Sequence, residues 1–215
     1  MIPTKEEWDS ALKLRHGEKL HKLFSSAAVA VCGLGGLGSN IAIALARAGI
    51  GKLILIDFDR VDITNLHRQQ YKANQVGSFK TDAIFANLKE IAPYTELETH
   101  TIRIDENNAP TLLKGADIIC EAFDKAECKA MLANCVFESM PEKYLVSASG
   151  MAGLGNANDI RTRKITEHFY LCGDETSDIE NAACLTSSRV MLCAAHQAHT
   201  VLRILAKKED IQNEK

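Results

Sequence analysis

The sequence predicts an α/β protein with a doubly wound, mainly parallel sheet of the Rossmann-like type. It also predicts an N-terminal helical arm and a C-terminal extension made of an edge strand and a helix. Three observations predict this class. Short apolar runs alternate with longer segments of helical periodicity. The first run leads into the glycine-rich stretch "CGLGGLGSN", which is typical of a strand–turn–helix unit. The length of 215 residues suits one domain, 1–215.

The elements can be assigned in order. Residues 1–26 form the arm, because Trp8, Leu12, Leu20 and Leu23 recur at roughly helical spacing between charges. Residues 27–150 form the core, in which apolar runs that end at glycines or polar residues predict the strands and amphipathic segments predict the helices. The predicted strands are Ala27–Cys32, Lys52–Ile56, Leu97–Ile104, Ala116–Cys120 and Tyr144–Ala148. The predicted helices are Leu37–Ala48, Ser78–Ile91 and Lys125–Glu138.

Residues 151–215 have a different pattern. The stretch "GMAGLGNANDIRTRKI" is rich in glycine and asparagine and then alternates, which predicts a loop that leads into an edge strand. The acidic stretch 172–184 has no periodicity and predicts an exposed loop. Val190–Leu205 is apolar and strongly helical, and it closes the fold.

Composition excludes several classes of protein. The formal net charge of −3 argues against a broad basic surface for nucleic acid. No apolar run approaches the roughly 20 residues that a membrane span needs, and the charged N-terminus predicts no signal peptide. Seven scattered cysteines without a C-x-x-C pair predict a reduced, cytoplasmic protein without a structural zinc site.

The glycine-rich stretch predicts a nucleotide site. Gly33, Gly35 and Gly38 follow the pattern G-x-G-x-x-G, which lets a phosphate approach the N-terminus of the next helix. Asp57 ends the second strand nineteen residues after Gly38, where an acid typically bonds ribose hydroxyls. The alternative is a turn that only packs a helix on a strand. The spacing alone does not choose between NAD and ATP.

Two cations further along the chain favour ATP. Arg68 and Lys80 follow Asp57 closely, and together they would neutralise the β- and γ-phosphates while the α-phosphorus is attacked. A dehydrogenase has no need for them at this place. Taken singly, Arg68 is more often a surface ion pair and Lys80 a solvated helix residue.

The stretch "GLGGLGSNIAIALARAGIGKLILIDFDRVDITNLHRQ" resembles the ThiF/MoeB family of bacterial ubiquitin-activating-like adenylyltransferases, and among them the short ThiF type. The resemblance covers about Val29–Ala148 and returns at Cys184–Leu205. It implies ATP-dependent adenylation of the C-terminal glycine of a small ubiquitin-like sulfur-carrier protein that ends in Gly-Gly, with thiamine-thiazole synthesis as the expected pathway. It further implies that 27–150 binds the nucleotide and that the loop in 151–215 binds the carrier.

The resemblance also assigns roles to residues around the nucleotide. The extra glycine, Gly36, would lie against the phosphates, Asp57 would hold the ribose, and Asp124 would be the magnesium-associated aspartate. A carboxylate at the end of a parallel strand is well placed for a metal–phosphate complex, although Asp124 also precedes a helix and is a candidate N-cap. The remaining implied contacts are Asp59 near the adenosine, Thr64, Asn65 and Arg68 along the triphosphate, and Lys80 as its clamp.

Two further residues are candidates by resemblance. Cys184 lies where relatives place a cysteine that takes over the activated carrier or its sulfur, and a helix N-terminus next to it would lower a thiol pKa. The alternative is a loop cysteine without chemistry, and Cys172 is a weaker candidate in the same stretch.

Arg15 of the arm would reach the phosphates of a partner subunit in a homodimer. Its alternative is an exposed helix residue.

The sequence departs from the family pattern after Asp124. Relatives commonly have Asn and Arg where this chain has Lys125 and Lys129. These departures leave other functions open: the same chemistry on a molybdopterin-type carrier or another carboxylate, including a tRNA-modifying or amide-forming activator, or a non-catalytic binding protein. An NAD-dependent oxidoreductase is the alternative from a different class.

Overall fold

The computed structural model describes residues 2–178, 182 and 184–213. Seven strands form one sheet, and their order across it is β3-β2-β1-β4-β5-β7-β6. They are β1 Ala28–Cys32, β2 Lys52–Ile56, β3 Glu96–His100, β4 Ile118–Glu121, β5 Tyr144–Ala148, β6 Arg161–Lys164 and β7 Phe169–Gly173. Every pairing is parallel except that of β6 with β7, so β6 is an antiparallel edge strand.

Helices cover both faces of this sheet. They are α1 Lys5–His16, α2 Glu18–Ser26, α3 Gly36–Arg47, α4 Lys80–Ile91, α5 Ala109–Leu112, α6 Ala126–Ser139 and α7 Ser187–Asn213. The two apolar layers alternate along β1, since Val29 and Val31 belong to one buried cluster while Ala30 and Cys32 belong to the other. The first cluster includes residues of α3, α4 and α7, and the second includes residues of α5 and α6. This is the doubly wound arrangement that the sequence predicts.

The chain reverses direction across the sheet beside β1. From β1 it passes to β2 and β3 on one side, and it then returns to β4 and β5 on the other. In an open parallel sheet, ligands bind outside the carboxyl ends of the strands at such a reversal. The glycine-rich loop follows β1 at this place, so the fold puts it at the expected binding crevice.

The structure corrects the sequence expectations at three places. The arm is two helices joined at Gly17, whose φ is +81°. β3 ends at His100, four residues before the predicted end. Phe169–Gly173 is a strand that was not predicted, so Cys172 is buried in the sheet rather than in an exposed loop. Of the rest of that predicted loop, residues 179–181 and 183 lie outside the described residues.

Within the part of the chain that the structure describes, no helix is long and apolar enough to span a membrane.

Candidate functional site

A cavity of about 450 Å³ opens at the carboxyl ends of β1, β2 and β4. Its walls come from the loop after β1, the segment between β2 and α4, the segment after β3, the turn between β4 and α6, Met151 after β5, and the residues just before and within the start of α7. Many of the predicted site residues line it: Gly33, Gly35, Gly36, Asp57, Asp59, Asn65, Arg68, Lys80 and Asp124. The structure therefore brings together residues from Gly33 to Asp124, which are 91 positions apart in the sequence.

Close packing explains two glycines of the loop. Gly33 has a φ of +91°, and a Cβ on it would lie 2.8 Å from the carbonyl oxygen of Ala122. A Cβ on Gly38 would lie 1.8 Å from the carbonyl oxygen of Gly33, which no side chain tolerates. The loop consequently folds back tightly and starts α3 at the cavity. Gly38 supports this turn without lining the cavity.

The two middle glycines have different surroundings. A Cβ on Gly36 would lie 2.9 Å from Cγ1 of Val190 and 3.4 Å from Cγ of Arg68. Packing against α7 and Arg68 therefore already favours glycine there, and its contact with phosphates stays a prediction. A Cβ on Gly35 would have only Nε2 of Gln69 within 4 Å, at 3.8 Å, so this position faces open cavity.

Asp57 is 8% exposed and fixes the loop through its carboxylate. Its Oδ2 accepts a hydrogen bond from the backbone N–H of Leu34 at 2.6 Å, and its Oδ1 accepts one from that of Asp59 at 2.8 Å. Burial raises the pKa of Asp57, while the nearby Lys80 ammonium and the two N–H donors oppose that shift. The predicted acid at the end of β2 thus holds the glycine-rich loop and also borders the cavity.

Lys80 is the first residue of α4 and is only 6% exposed. Its ammonium lies 2.8 Å from Oδ2 of Asp59 and 3.8 Å from Oδ2 of Asp57. Two carboxylates compensate the buried charge and hold it at the cavity wall. Lys80 is therefore a fixed cation and not a solvated helix residue.

Arg68 is held by both its backbone and its side chain. Asn40 of α3 donates to the Arg68 carbonyl at 3.3 Å, and the Arg68 guanidinium donates to Oδ1 of Asn65 at 2.9 Å. Partial burial lowers the pKa of Arg68, and the charge of Asp124 opposes this. Thr64 does not share this wall: it is exposed, and its hydroxyl donates to Asp62 at 2.5 Å. A contact of Thr64 with the triphosphate stays a prediction.

Asp124 is exposed on the turn between β4 and α6. The N-cap of α6 is Lys125, and no side-chain hydrogen bond caps this helix, so the capping role considered for Asp124 is not observed. No cluster of three metal-ligating side chains exists among the described residues. Magnesium does not need one, because it usually binds one or two carboxylates together with substrate phosphates and water. One carboxylate that lines the proposed nucleotide cavity fits such an ion.

The structure adds a buried ion pair beneath this turn. Glu121 is fully buried at the end of β4, and its carboxylate accepts hydrogen bonds from Lys129 at 3.0 and 3.2 Å, from Ser147, and from the N–H of Phe123 at 2.7 Å. Lys129 also donates to the carbonyl of Ala148 at 3.0 Å. In the sequence, Lys129 is only a departure from the family pattern, and no motif points to Glu121. The spacing of Glu121 and Lys129 across the strand–helix turn was the available signal.

Besides Gly38 and Thr64, three candidates lie outside the cavity lining, namely Cys184, Arg15 and Cys172. Cys184 is partly buried before α7, and its carbonyl accepts from the N–H of Gly153 at 2.8 Å. Its neighbour Leu185 lines the cavity. Arg15 is exposed on α1 and does not line the cavity of its own chain. Cys172 is buried, and burial raises the pKa of its thiol, so the structure gives it no role in chemistry.

The parallel sheet, the glycine-rich loop at its reversal point and the cations of the crevice define a nucleotide-binding domain of the Rossmann-like class. The chain belongs to the ThiF family, whose model matches residues 9–215. This confirms the family resemblance and the fold class predicted from the sequence.

Known proteins resemble the chain in two ways. It is 35% identical over 132 residues to "Adenylyltransferase and sulfurtransferase MOCS3" of Caenorhabditis briggsae, a match covering 60% of this chain and 32% of that protein. The chain thus spans about a third of the length of this curated relative. Its fold matches tRNA N6-threonylcarbamoyladenosine dehydratase, TcdA, of E. coli in complex with AMP, with a TM-score of 0.86, 20% identity and coverage of 98% and 100%. It also matches E. coli MccB with ATP, with a TM-score of 0.66, 23% identity and coverage of 87% and 58%.

Proposed function

We propose that this chain is an ATP-dependent adenylyltransferase that activates a carboxylate. The observation that carries the proposal is the convergence of Arg68, Lys80 and Asp124 on one cavity behind the glycine-rich loop. The relative that is an adenylyltransferase by name and the AMP- and ATP-bound fold neighbours support the same chemistry. A nicotinamide enzyme would leave these three groups without a task.

In this reaction a carboxylate oxygen of the substrate attacks the α-phosphorus of ATP. The new bond joins that oxygen to phosphorus, and the bond between the α-phosphorus and the bridging oxygen of pyrophosphate breaks. No general base is needed, since a carboxylate is already ionised near neutral pH. Arg68 and Lys80 stabilise charge on the phosphates, and the open face at Gly35 admits them to the N-terminus of α3.

Asp57 and Asn65 serve binding in this proposal. Asp57 keeps the glycine-rich loop in place and bonds the ribose, and Asn65 holds the Arg68 guanidinium while it faces the phosphates. Asp59 positions Lys80, with which it forms an ion pair. Asp124 would hold Mg²⁺, which neutralises phosphate charge when bound.

We propose the C-terminal glycine of a small ubiquitin-like sulfur carrier ending in Gly-Gly as the substrate, with thiazole synthesis as its pathway. The naming of MOCS3 as an adenylyltransferase and sulfurtransferase supports a sulfur carrier. Met151, Leu185 and Val190 form an apolar side of the cavity, which suits an extended peptide tail better than a charged metabolite. The proposal includes a homodimer in the cytoplasm and a sulfur-transfer role for Cys184.

Exchange of labelled pyrophosphate into ATP tests this function. We expect exchange that depends on a carrier ending in Gly-Gly and on Mg²⁺. It should fall at least a hundredfold in Lys80→Met and Asp124→Ala variants, while Cys184→Ser retains it and loses only sulfur transfer. Tight NADH binding without ATP binding, or no exchange with any carboxylate substrate, would overturn the assignment.

A molybdopterin-type carrier is the second protein substrate to test in the same pyrophosphate-exchange assay. The likeness to TcdA and MccB also recommends assaying other carboxylates, which would replace the carrier while keeping the same activation step.

A further inference from the structure

The cavity contains more positive than negative side chains. Its cations are Arg68, Lys80, Arg103 and Lys125, and its carboxylates are Asp57, Asp59 and Asp124. The balance favours an anionic ligand, because low-dielectric walls strengthen the field of uncompensated charges. The cations without a partner in the protein therefore indicate where that ligand binds.

Two of the cations are compensated within the protein. Lys80 forms ion pairs with Asp59 and Asp57, and Arg68 interacts with Asn65 and with the charge of Asp124. These groups hold one another in position when no nucleotide is bound. Lys80 and Arg68 together carry a formal charge of +2, and the three carboxylates Asp57, Asp59 and Asp124 carry −3. These five side chains therefore have a net formal charge of −1.

The other two cations differ in their surroundings. The guanidinium of Arg103 lies 5.9 Å from the centre of the Phe58 ring, on the side of the cavity formed after β3. The ammonium of Lys125 has neither a hydrogen bond nor an ion pair with any residue that the structure describes. It lies directly after Asp124 on the wall formed by the β4–α6 turn.

Lys125 lines the cavity from the N-terminus of α6. It is the N-cap of α6 in an extended conformation, with φ −91° and ψ 130°. Cys128, three residues further and on the same side of the helix, also lines the cavity. Lys129, one position later, is instead directed to the buried Glu121. Of these two lysines, Lys129 therefore has an ion-pair partner within the protein, whereas Lys125 has none among the described residues.

We propose that the Lys125 ammonium binds the phosphate chain of the nucleotide and supplies part of the charge neutralisation otherwise left to Mg²⁺ at Asp124. This rests on the proposed ATP site. The cation and the carboxylate next to it act on the same phosphates, Lys125 directly and Asp124 through the metal ion. ATP binding by this chain then depends less on Mg²⁺ than it would without Lys125.

Calorimetric titration of the full chain with ATP, AMP and adenosine, each with and without Mg²⁺, tests the proposal. We expect Lys125→Gln to weaken ATP binding about tenfold, with a larger loss in the absence of Mg²⁺ and no change for adenosine. Lys125→Arg retains most of the affinity. Lys22→Gln, which removes an exposed lysine on the arm, is the matched control and binds as the wild type does.

Unchanged ATP affinity in Lys125→Gln, or an equal loss for adenosine and ATP, overturns the inference. Both results leave the proposed adenylyl transfer intact, because wild-type ATP binding and pyrophosphate exchange are measured separately. If the wild-type chain binds no ATP, the proposed function fails and this inference fails with it. Melting curves identify a variant that has simply lost its fold.

Discussion

Gly35 and Gly36 are adjacent, but they are small for different reasons. Gly36 is confined by Val190 and Arg68, whereas Gly35 borders open cavity. The sequence pattern alone treats both as loop glycines. The structure shows that Gly36 is needed for packing, whereas Gly35 leaves room for a ligand. Substitution of Gly36 is therefore expected to affect stability, and substitution of Gly35 to affect binding.

We expect Gly35→Ala to lower ATP affinity at least tenfold without changing the melting temperature, because the new methyl group enters only the space of the phosphates. Gly36→Ala should lower the free energy of unfolding by roughly 1–3 kcal/mol, since its methyl group would lie only 2.9 Å from Cγ1 of Val190. Thermal melting and calorimetry measure both effects. Normal ATP binding by Gly35→Ala would contradict the assignment of this space to phosphate.

At the scale of elements, the strands were predictable where an apolar run had clear ends. β2 and β5 match the predicted bounds, and β1 differs by one residue. β7 was missed because "FYLCG" is short and continues into an acidic stretch. Only its hydrogen bonds with β5 and β6 define it as a strand. Pairing between distant segments is not a local property of sequence.

The site was predictable to the same extent. Asp57 was predicted from the end of an assigned strand, Lys80 from its place soon after Asp57, and Asp124 from the family resemblance. All three line the cavity, and their roles stay predictions. The side chains that pair with residues at these positions could not be predicted, because such contacts depend on how the ends of strands and helices are oriented in the folded chain. The pairing of Lys80 with Asp59 and that of Lys129 with Glu121 are of this kind.

The β4–α6 turn depends on the Glu121–Lys129 pair. We expect Lys129→Met to lower the free energy of unfolding by about 3–5 kcal/mol, because it leaves a fully buried carboxylate unpaired. Lys129→Arg should cost much less, since it keeps the charge. Urea denaturation measures the differences. A Glu121→Gln/Lys129→Met double variant more stable than Lys129→Met alone would verify the coupling, and strict additivity would exclude it.

A second buried ion pair holds the segment after β7 on α7. Asp174 accepts hydrogen bonds from the backbone of Thr176 and Ser177 and from Arg189, whose guanidinium also donates to the carbonyl of Gly155 at 2.7 Å. Burial alone would raise the pKa of Asp174, but these donors reverse the shift and hold it well below its usual value. The sequence predicted only an exposed acidic loop here.

This depressed pKa predicts the direction of acid sensitivity. Asp174 binds a proton more readily in the unfolded chain, so its stabilisation is present above the unfolded pKa of about 4 and decreases as the pH falls below it. Asp174→Asn should therefore destabilise the protein by about 3–5 kcal/mol at pH 7 and make the acid limb of the stability curve shallower. Urea denaturation from pH 3 to 7 measures both. The exposed Asp159→Asn is the control and should change neither.

At the scale of the whole molecule, the arm and the cavity lie at opposite ends of α3. The cavity is at Gly36, the first residue of this helix, whereas Leu12 of the arm packs on Gly49 just beyond its last turn. Twelve helical residues separate these ends by about 18 Å. None of the residues of α1 is buried, and Leu14 is 81% exposed. Arg15 is therefore poorly placed to reach its own cavity, and any role in catalysis requires a second subunit.

Purified heterodimers with two affinity tags test this role of Arg15. If Arg15 acts across the proposed dimer, a heterodimer of Arg15→Ala and Lys80→Met chains contains one complete site, formed by the first chain's cavity and the second chain's arm. It should show about half of the wild-type exchange activity. A heterodimer of the wild-type chain with a chain carrying both substitutions has no complete site and should be inactive. Arg15 acting within its own chain would reverse these two results, and full activity of the Arg15→Ala homodimer would remove Arg15 from the reaction.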